Sequence, residues 1–275
     1  MKYKRWFAIV IVICMTLPLA ACHLKPAAPW PALREGSPRE GESCLREGGS
    51  LVRGNGKVVE RKTPLPEDER GYALRVKGIS LRGSAGDIEL VIDESLPREV
   101  VLAADENIAA YINVDYNAGA GEIVIDLKQR VVFTPTKLSI VVGAPVRALD
   151  VNGAWHFTYD CPSVTACEVS VNGASNGKLA FGALEALRVD VNGASDIKLA
   201  GTAKLANLTI NGAANIRAFD LAAVAADVTI NGAGDCEITA TGILDAEING
   251  VGKVVYDGQP AVSPHIRGLG EVRAR

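Results

Sequence analysis

The sequence is poor in aromatic residues. Phe, Trp and Tyr make up 5% of the chain, although hydrophobic residues make up 48%. A hydrophobic core must therefore be built mainly from Val, Ile, Leu and Ala. The chain also contains 28 glycines, which favour tight turns, while β-branched residues favour strands. This composition indicates a fold that is rich in β-structure.

Motifs of catalytic and metal sites are missing as well. The 3 histidines are widely scattered and no CxxC pair occurs, so the spacing typical of a zinc site is absent. The sequence has no Walker loop for phosphate, no nucleophile elbow and no Ser-His-Asp set. We therefore expect a non-enzymatic protein that holds no metal and no cofactor.

The start of the chain, over 1–21, has the pattern of an export signal. A basic start at Lys2, Lys4 and Arg5 is followed by an uncharged apolar stretch over 6–21. This stretch is shorter than the ~20 residues that a membrane-spanning helix needs, and its flanks are those of a signal peptide. We therefore expect residues 1–21 to be removed on export.

The segment Leu19-Ala20-Ala21-Cys22 resembles the lipobox of bacterial lipoproteins. The resemblance implies cleavage before Cys22 and its acylation, for example with palmitate. Two or more acyl chains anchor a protein stably in a membrane. His23 stands where an Asp would indicate retention at the inner membrane, so we expect a lipid anchor in the cell envelope, at the outer membrane. An ordinary secretory signal with an incidental Cys22 is the alternative.

The mature chain is acidic and divides into three parts. Loss of 1–21 leaves 26 basic against 32 acidic residues, a net charge of about −6, so we expect no nucleic-acid partner. Residues 22–50 are rich in Pro, Gly, Arg and Glu and are typical of a flexible tether. Residues 51–148 contain short alternating apolar runs between turn residues, which predicts an irregular β region. Residues 149–275 are repetitive.

The repeat has a period of ~20 residues, which is typical of a solenoid. Asn-Gly pairs recur at a nearly constant spacing, and Ala follows each of them except the last. The pairs are Asn152-Gly153, Asn172-Gly173, Asn192-Gly193, Asn211-Gly212, Asn231-Gly232 and Asn249-Gly250.

Apolar residues alternate with polar ones on both sides of each pair, which predicts two strands per coil with one face buried. Glycine supplies the positive φ that a sharp corner needs, and stacked Asn side chains can pass amide hydrogen bonds from coil to coil. The sequence therefore predicts an all-β fold, a parallel β-helix with ~20-residue coils preceded by irregular β-structure.

The chain resembles the head GIN domain family of putative auto-transporter adhesins. The likeness lies in the order of several stretches between residues 54 and 273, including 54–59, 104–108, 123–125, the repeated turns, 255–260 and 267–272. It implies a right-handed β-helix and a role in adhesion at the cell surface, and it carries no catalytic residues. The Asn-Gly-Ala turns depart from the Ser-Gly-Ser or Gly-Ser-Gly turns more usual in the family.

The best candidate binding residues stand four positions after each repeated Asn. Stacking should place them in one column along an edge of the solenoid, with neighbours ~5 Å apart. This polar column consists of His156, Asn176, Asp196, Asn215, Asp235 and Lys253. Glycan or protein binding along this column is one interpretation, and ordinary turn chemistry is the other.

Two carboxylates of the polar column raise an enzymatic alternative. Asp196 and Asp235 should lie two coils apart, at roughly 10 Å, close to the ~6.5–9.5 Å of inverting glycosidases. Pectinase-like lyases and hydrolases share the β-helix architecture, but a fold does not define a function.

Export would place the remaining cysteines in an oxidising compartment, where disulfides persist. Cys161 and Cys167 bracket a turn-like insert, and we predict a bridge between them. Cys44 and Cys236 are a second pair whose connection the sequence does not define.

We therefore expect an envelope-anchored β-helix that binds a glycan or a surface protein. The alternatives are the carbohydrate-active enzyme and a passive structural protein that forms homo-oligomers through open solenoid ends, since exposed strand edges invite pairing.

Overall fold

The computed structural model describes residues 50–68, 70–77, 80–81, 87–128, 131–135 and 137–275. The export signal, Cys22 and the tether over 22–49 lie outside these residues. The expectations for those segments therefore stay predictions.

The described residues form strands and a single turn of helix. In chain order the strands are β1 (Ser50–Arg53), β2 (Val58–Pro64), β3 (Tyr72–Val76), β4 (Ser80–Leu81), β5 (Asp87–Asp93), β6 (Glu99–Asp105), β7 (Ile112–Asn117), β8 (Glu122–Leu127), β9 (Val131–Thr134), β10 (Lys137–Val142), β11 (Val146–Gly153), β12 (His156–Cys161), β13 (Ala166–Gly173), β14 (Asn176–Gly193), β15 (Asp196–Gly212), β16 (Asn215–Asp257) and β17 (Ala261–Ala274). The helix α1 (Glu106–Ala109) follows β6.

The repeat region is a stack of parallel coils, so the predicted all-β solenoid is confirmed. Strands leading into each Asn-Gly turn pair in parallel in the order β3, β11, β13, β14, β15 and β16. We call their outward side the pre-turn face. Strands leaving each turn pair in parallel from β5 through β12 to the first residues of β14, β15 and β16. Their outward side is the post-turn face.

Antiparallel strands of the irregular region close the N-terminal end of the solenoid. β8 continues the pre-turn sheet and pairs antiparallel with β7. β10 continues the post-turn sheet beyond β5 and pairs antiparallel with β6, which in turn pairs antiparallel with β2. This reversal terminates the parallel ladder at the N-terminal end, because an antiparallel strand cannot continue the winding of the coil.

From the sequence, Gly54-Asn55-Gly56 could turn a short hairpin between residues 51–52 and 58–59, which lie in β1 and β2. The structure shows that this expectation is wrong. β1 pairs with β9, and β2 pairs with β6. The turn is held instead by the end of β6 and by α1. The Gly56 N–H donates to the buried Asp105 carboxylate at 2.8 Å, and the Asn55 N–H donates to Asn107 Oδ1 at 3.1 Å. Long-range contacts therefore decide the pairing.

The core is aliphatic through most of the solenoid, as the composition predicts. Ile, Val, Leu and Ala fill the inward columns and are almost completely buried. Aromatic side chains concentrate where the regular coils begin, and the largest of them is Trp155, which is 1% exposed. Trp155 therefore covers the core beneath the first regular coil and does not offer a ring to a ligand.

The repeated glycines hold each corner in register. Their φ angles lie between 126° at Gly153 and 149° at Gly250, a region that side-chain-bearing residues rarely adopt. A Cβ at Gly193 would stand 2.1 Å from the carbonyl oxygen of Gly173 in the preceding coil. Glycine is therefore required both by conformation and by the close approach of the backbones.

Side chains around the glycines form two hydrogen-bonded ladders. Each Asn from 192 to 249 donates its side-chain N–H to the Asn Oδ1 of the preceding coil at 2.9–3.0 Å. Next to this Asn ladder, the buried Ser175 and Ser195 accept N–H bonds from the coil before, and each donates to a glycine carbonyl oxygen at 3.2 Å. The repeated turn motif therefore fixes how one coil lies on the next.

The close approach predicts a large cost for a methyl group at the corner. Gly193→Ala should lower the free energy of unfolding by more than ~3 kcal/mol or prevent folding, because the new Cβ meets a backbone oxygen that cannot move away. Gly56→Ala is the matched control: φ is 75° there but no atom lies within 4 Å of a built Cβ, so the cost should stay near ~1 kcal/mol. Urea unfolding measures both, and equal costs would contradict the close-approach explanation.

Candidate binding face

The post-turn face brings the predicted polar column together. His156 lies in register with Asn176, Asn176 with Asp196, and Asp196 with Asn215. In the next coil the Asp235 N–H donates to the carbonyl oxygen of Ala214, the neighbour of Asn215, at 3.3 Å, and one coil further the Lys253 N–H donates to the Asp235 carboxylate at 3.2 Å. The six side chains therefore form one continuous outward row, with the spacing that adjacent strands impose.

A shallow depression lies at the N-terminal end of this row. It has a volume of about 330 Å³ and is lined by Glu89, His156, Phe157, Thr158, Asn176 and Lys178. Beneath this depression Gly177 faces the core, where a Cβ would stand 2.3 Å from the buried Phe157 ring. The break in alternation at Gly177 is thus explained by packing against a large aromatic residue in the coil before.

A column of cations runs beside the polar column, and sequence reasoning missed it. Lys178 pairs in register with Lys198, and Lys198 with Arg217, all three of them exposed. We call these three residues the cationic ladder. They stand six positions after their repeated Asn, so aligning the coils at that position would have found them.

The two carboxylates of the enzymatic alternative are engaged by basic neighbours. Asp196 pairs with Arg217 at 2.7 Å, and Asp235 pairs with Lys253 at 3.2 Å. Both side chains lie on the open face, and neither lines the depression. Each carboxylate is thus paired with a cation, and the enzymatic alternative stays a hypothesis.

The predicted bridge between Cys161 and Cys167 is absent, because both residues are buried free thiols in the structure. The Tyr159 hydroxyl lies 3.5 Å from the Cys167 sulfur, and Cys161 donates to the Ala144 carbonyl oxygen at 3.7 Å. Burial raises the pKa of Cys161 to about 12 and that of Cys167 to about 11. Both therefore remain protonated and act as core residues, since the thiolate is the reactive form. Cys236 is also free and buried, and Cys44 lies outside the described residues.

Near its C-terminal end, the pre-turn face carries acidic side chains, whereas the cationic ladder lies on the post-turn face. Partial burial, followed by the nearby charges of Asp245 and Glu247, raises the pKa of Asp227 above its ordinary value. Arg267 compensates Glu247 at 2.8 Å. Around Asp227 the carboxylates of Asp245 and Glu247 therefore disfavour a further negative charge.

Neither a metal-binding cluster nor a membrane-spanning helix occurs among the described residues. No group of three or more His, Cys, Asp or Glu side chains is placed to hold a metal ion within the described ranges. Among the same residues no helix has the length and apolar character that would let it cross a membrane.

The fold and its long exposed row define the chain as a β-solenoid protein with an open polar face. A family model described as putative auto-transporter adhesin, head GIN domain, matches residues 80–260, well over half of the 275 residues. The chain belongs to this family. The comparison with curated proteins gave no match.

Solved structures share the fold at low identity. A putative adhesin of Bacteroides fragilis has a TM-score of 0.65 at 23% identity. A putative lipid-binding protein and a putative adhesin, both of Parabacteroides distasonis, have TM-scores of 0.60 and 0.53 at 21% and 20% identity. In each case the match covers 82% of this chain and 100% of the other.

Proposed function

We propose that this protein is a lipid-anchored component of the bacterial cell envelope that binds a surface glycan through its post-turn face. The depression with its adjoining polar column carries the proposal. Membership of an adhesin head family supports a non-enzymatic surface protein, and the lipobox-like segment ending at Cys22 supports export and anchoring.

The geometry of the face suits an extended polymer. Strands stack about 4.8 Å apart, so the outward row offers hydrogen-bonding groups at a regular interval along the solenoid axis. His156, Asn176 and Asn215 are exposed and can exchange hydrogen bonds with hydroxyl groups. A shallow, open face is suited to binding a chain of sugars without cleaving it.

Binding is tested with the unlipidated domain on an array of glycans. The double variant His156→Ala/Asn176→Ala should weaken binding to any glycan that the wild type retains by roughly tenfold, because each residue lines the depression. His265→Ala/Asn207→Ala is the matched control, since it removes the same residue types from the pre-turn side. Equal losses in the two variants, or turnover of a bound glycan, would contradict the proposal.

Anchoring is tested at Cys22. Cys22→Ser should move the protein from the membrane fraction to the soluble periplasmic fraction and abolish incorporation of labelled palmitate, since no acyl chain can then be attached. Cys44→Ser is the control and should leave fractionation unchanged. Membrane association that persists in Cys22→Ser would mean that another segment supplies the anchor.

Self-association is a second candidate, favoured by the last coil. Leu269 is 81% exposed, Val251 55% and Ile266 43%. Among the described residues no strand pairs with the outer edge of β17. An apolar end with free strand edges favours pairing with another chain. We expect sedimentation of the unlipidated domain to show concentration-dependent dimers, and a pure monomer at high concentration would remove this candidate.

A further inference from the structure

We infer that the ligand of the post-turn face is an anionic glycan, bound along the cationic ladder of Lys178, Lys198 and Arg217 by its carboxylate or sulfate groups. This inference rests on the proposed function and specifies the chemistry of the ligand.

The ladder stacks like charges at the distance of adjacent strands. Lys178 and Lys198 are direct register partners on one face, as are Lys198 and Arg217. Like charges directly opposite each other destabilise a sheet. Asp196 already compensates Arg217 at 2.7 Å. The repulsion between Lys178 and Lys198 is the cost that an anionic ligand would relieve.

Two other exposed cations of the solenoid are matched with acids from the neighbouring coil. Lys204 pairs with Glu185 at 2.7 Å, and Arg267 with Glu247 at 2.8 Å. By contrast, within the described part of the chain neither Lys178 nor Lys198 forms an ion pair with a carboxylate. These two ammonium groups are therefore available to a ligand.

The ladder also begins inside the depression. Lys178 lines it together with His156, Thr158 and Asn176, and Glu89, in register with His156, lies at the N-terminal edge of the depression, away from Lys178. One sugar ring seated in the depression could place its acidic group near Lys178 and direct the following residues toward Lys198. The depression and the cationic ladder therefore both support a glycan bound along the same column of the post-turn face.

The surroundings favour a single polysaccharide chain over a broad anionic surface. The ladder is one column wide, and Asp196 and Asp235 flank it on the same face. A bilayer or a nucleic-acid duplex would bring phosphates against these carboxylates. Single-stranded nucleic acid would need exposed aromatic rings for stacking, whereas Phe157 beneath the depression is buried.

The test measures the affinity of the unlipidated domain for charged polymers and for their neutral counterparts. Polygalacturonate is compared with its methyl ester to test carboxylates, and dextran sulfate is compared with dextran to test sulfates. The variant Lys178→Gln/Lys198→Gln removes the two unpaired cations. Lys128→Gln/Lys204→Gln is the matched control, because it removes the same charge from two exposed lysines that lie off the post-turn face, one directly after β8 and one paired with Glu185.

We expect at least one charged polymer to bind and its neutral counterpart to bind much more weakly. The ladder variant should lose roughly tenfold in affinity while the control variant changes little, and added salt should weaken wild-type binding because the contacts are exposed. Unchanged unfolding of both variants in urea would show that the loss is local.

Several outcomes would overturn the inference. They are equal binding of charged and neutral polymers, equal losses in the two variants, and ladder-dependent binding of DNA or anionic vesicles as tight as that of the polysaccharides. Binding of neutral glycans alone overturns the inference but leaves the proposed function standing. Failure to bind any glycan removes both.

Discussion

The fold depends on the contact between stacked backbones at the Asn-Gly corner. Each corner glycine from Gly173 onward lies so close to the glycine carbonyl of the coil before it that a Cβ would meet the oxygen at 2.1–2.4 Å. This contact is possible only without a side chain and only with one coil directly above another. The Asn ladder then adds one side-chain hydrogen bond per coil. Register, and with it every outward column, follows from this constraint.

A fixed register turns a repeated sequence into ordered surfaces. Residues at the same position in successive coils become neighbours, so a polar column and the cationic ladder form on one face while acids gather near the end of the other. The coils tolerate this variety because outward side chains contribute little to packing. Binding chemistry can therefore change from coil to coil while the corner stays the same.

The sequence predicts the repeat more readily than the parts around it. The Asn-Gly period, the alternating strands and the polar column from His156 onward all follow from local spacing. The cationic ladder is visible only when coils are aligned, because its members are separated from one another by a full coil of chain. The pairing of β2 with β6 depends on Asp105, which is far from Gly56 along the chain, and the environment of Cys161 depends on the Ala144 carbonyl oxygen, 17 residues before it. Neither contact has a local signal.

The central claim is that the corner maintains the fold while the post-turn face binds, and one pair of substitutions separates the two roles. Asn211 belongs to the Asn ladder and Asn215 to the polar column, four positions further along the chain. Asn211→Ala should lower the free energy of unfolding by about 1–2 kcal/mol and leave glycan affinity unchanged, because two ladder hydrogen bonds are lost. Asn215→Ala should weaken glycan binding and leave the free energy of unfolding unchanged. Measuring both quantities for both variants tests the account, and a loss of affinity in Asn211→Ala equal to that in Asn215→Ala, at unchanged stability, would contradict it.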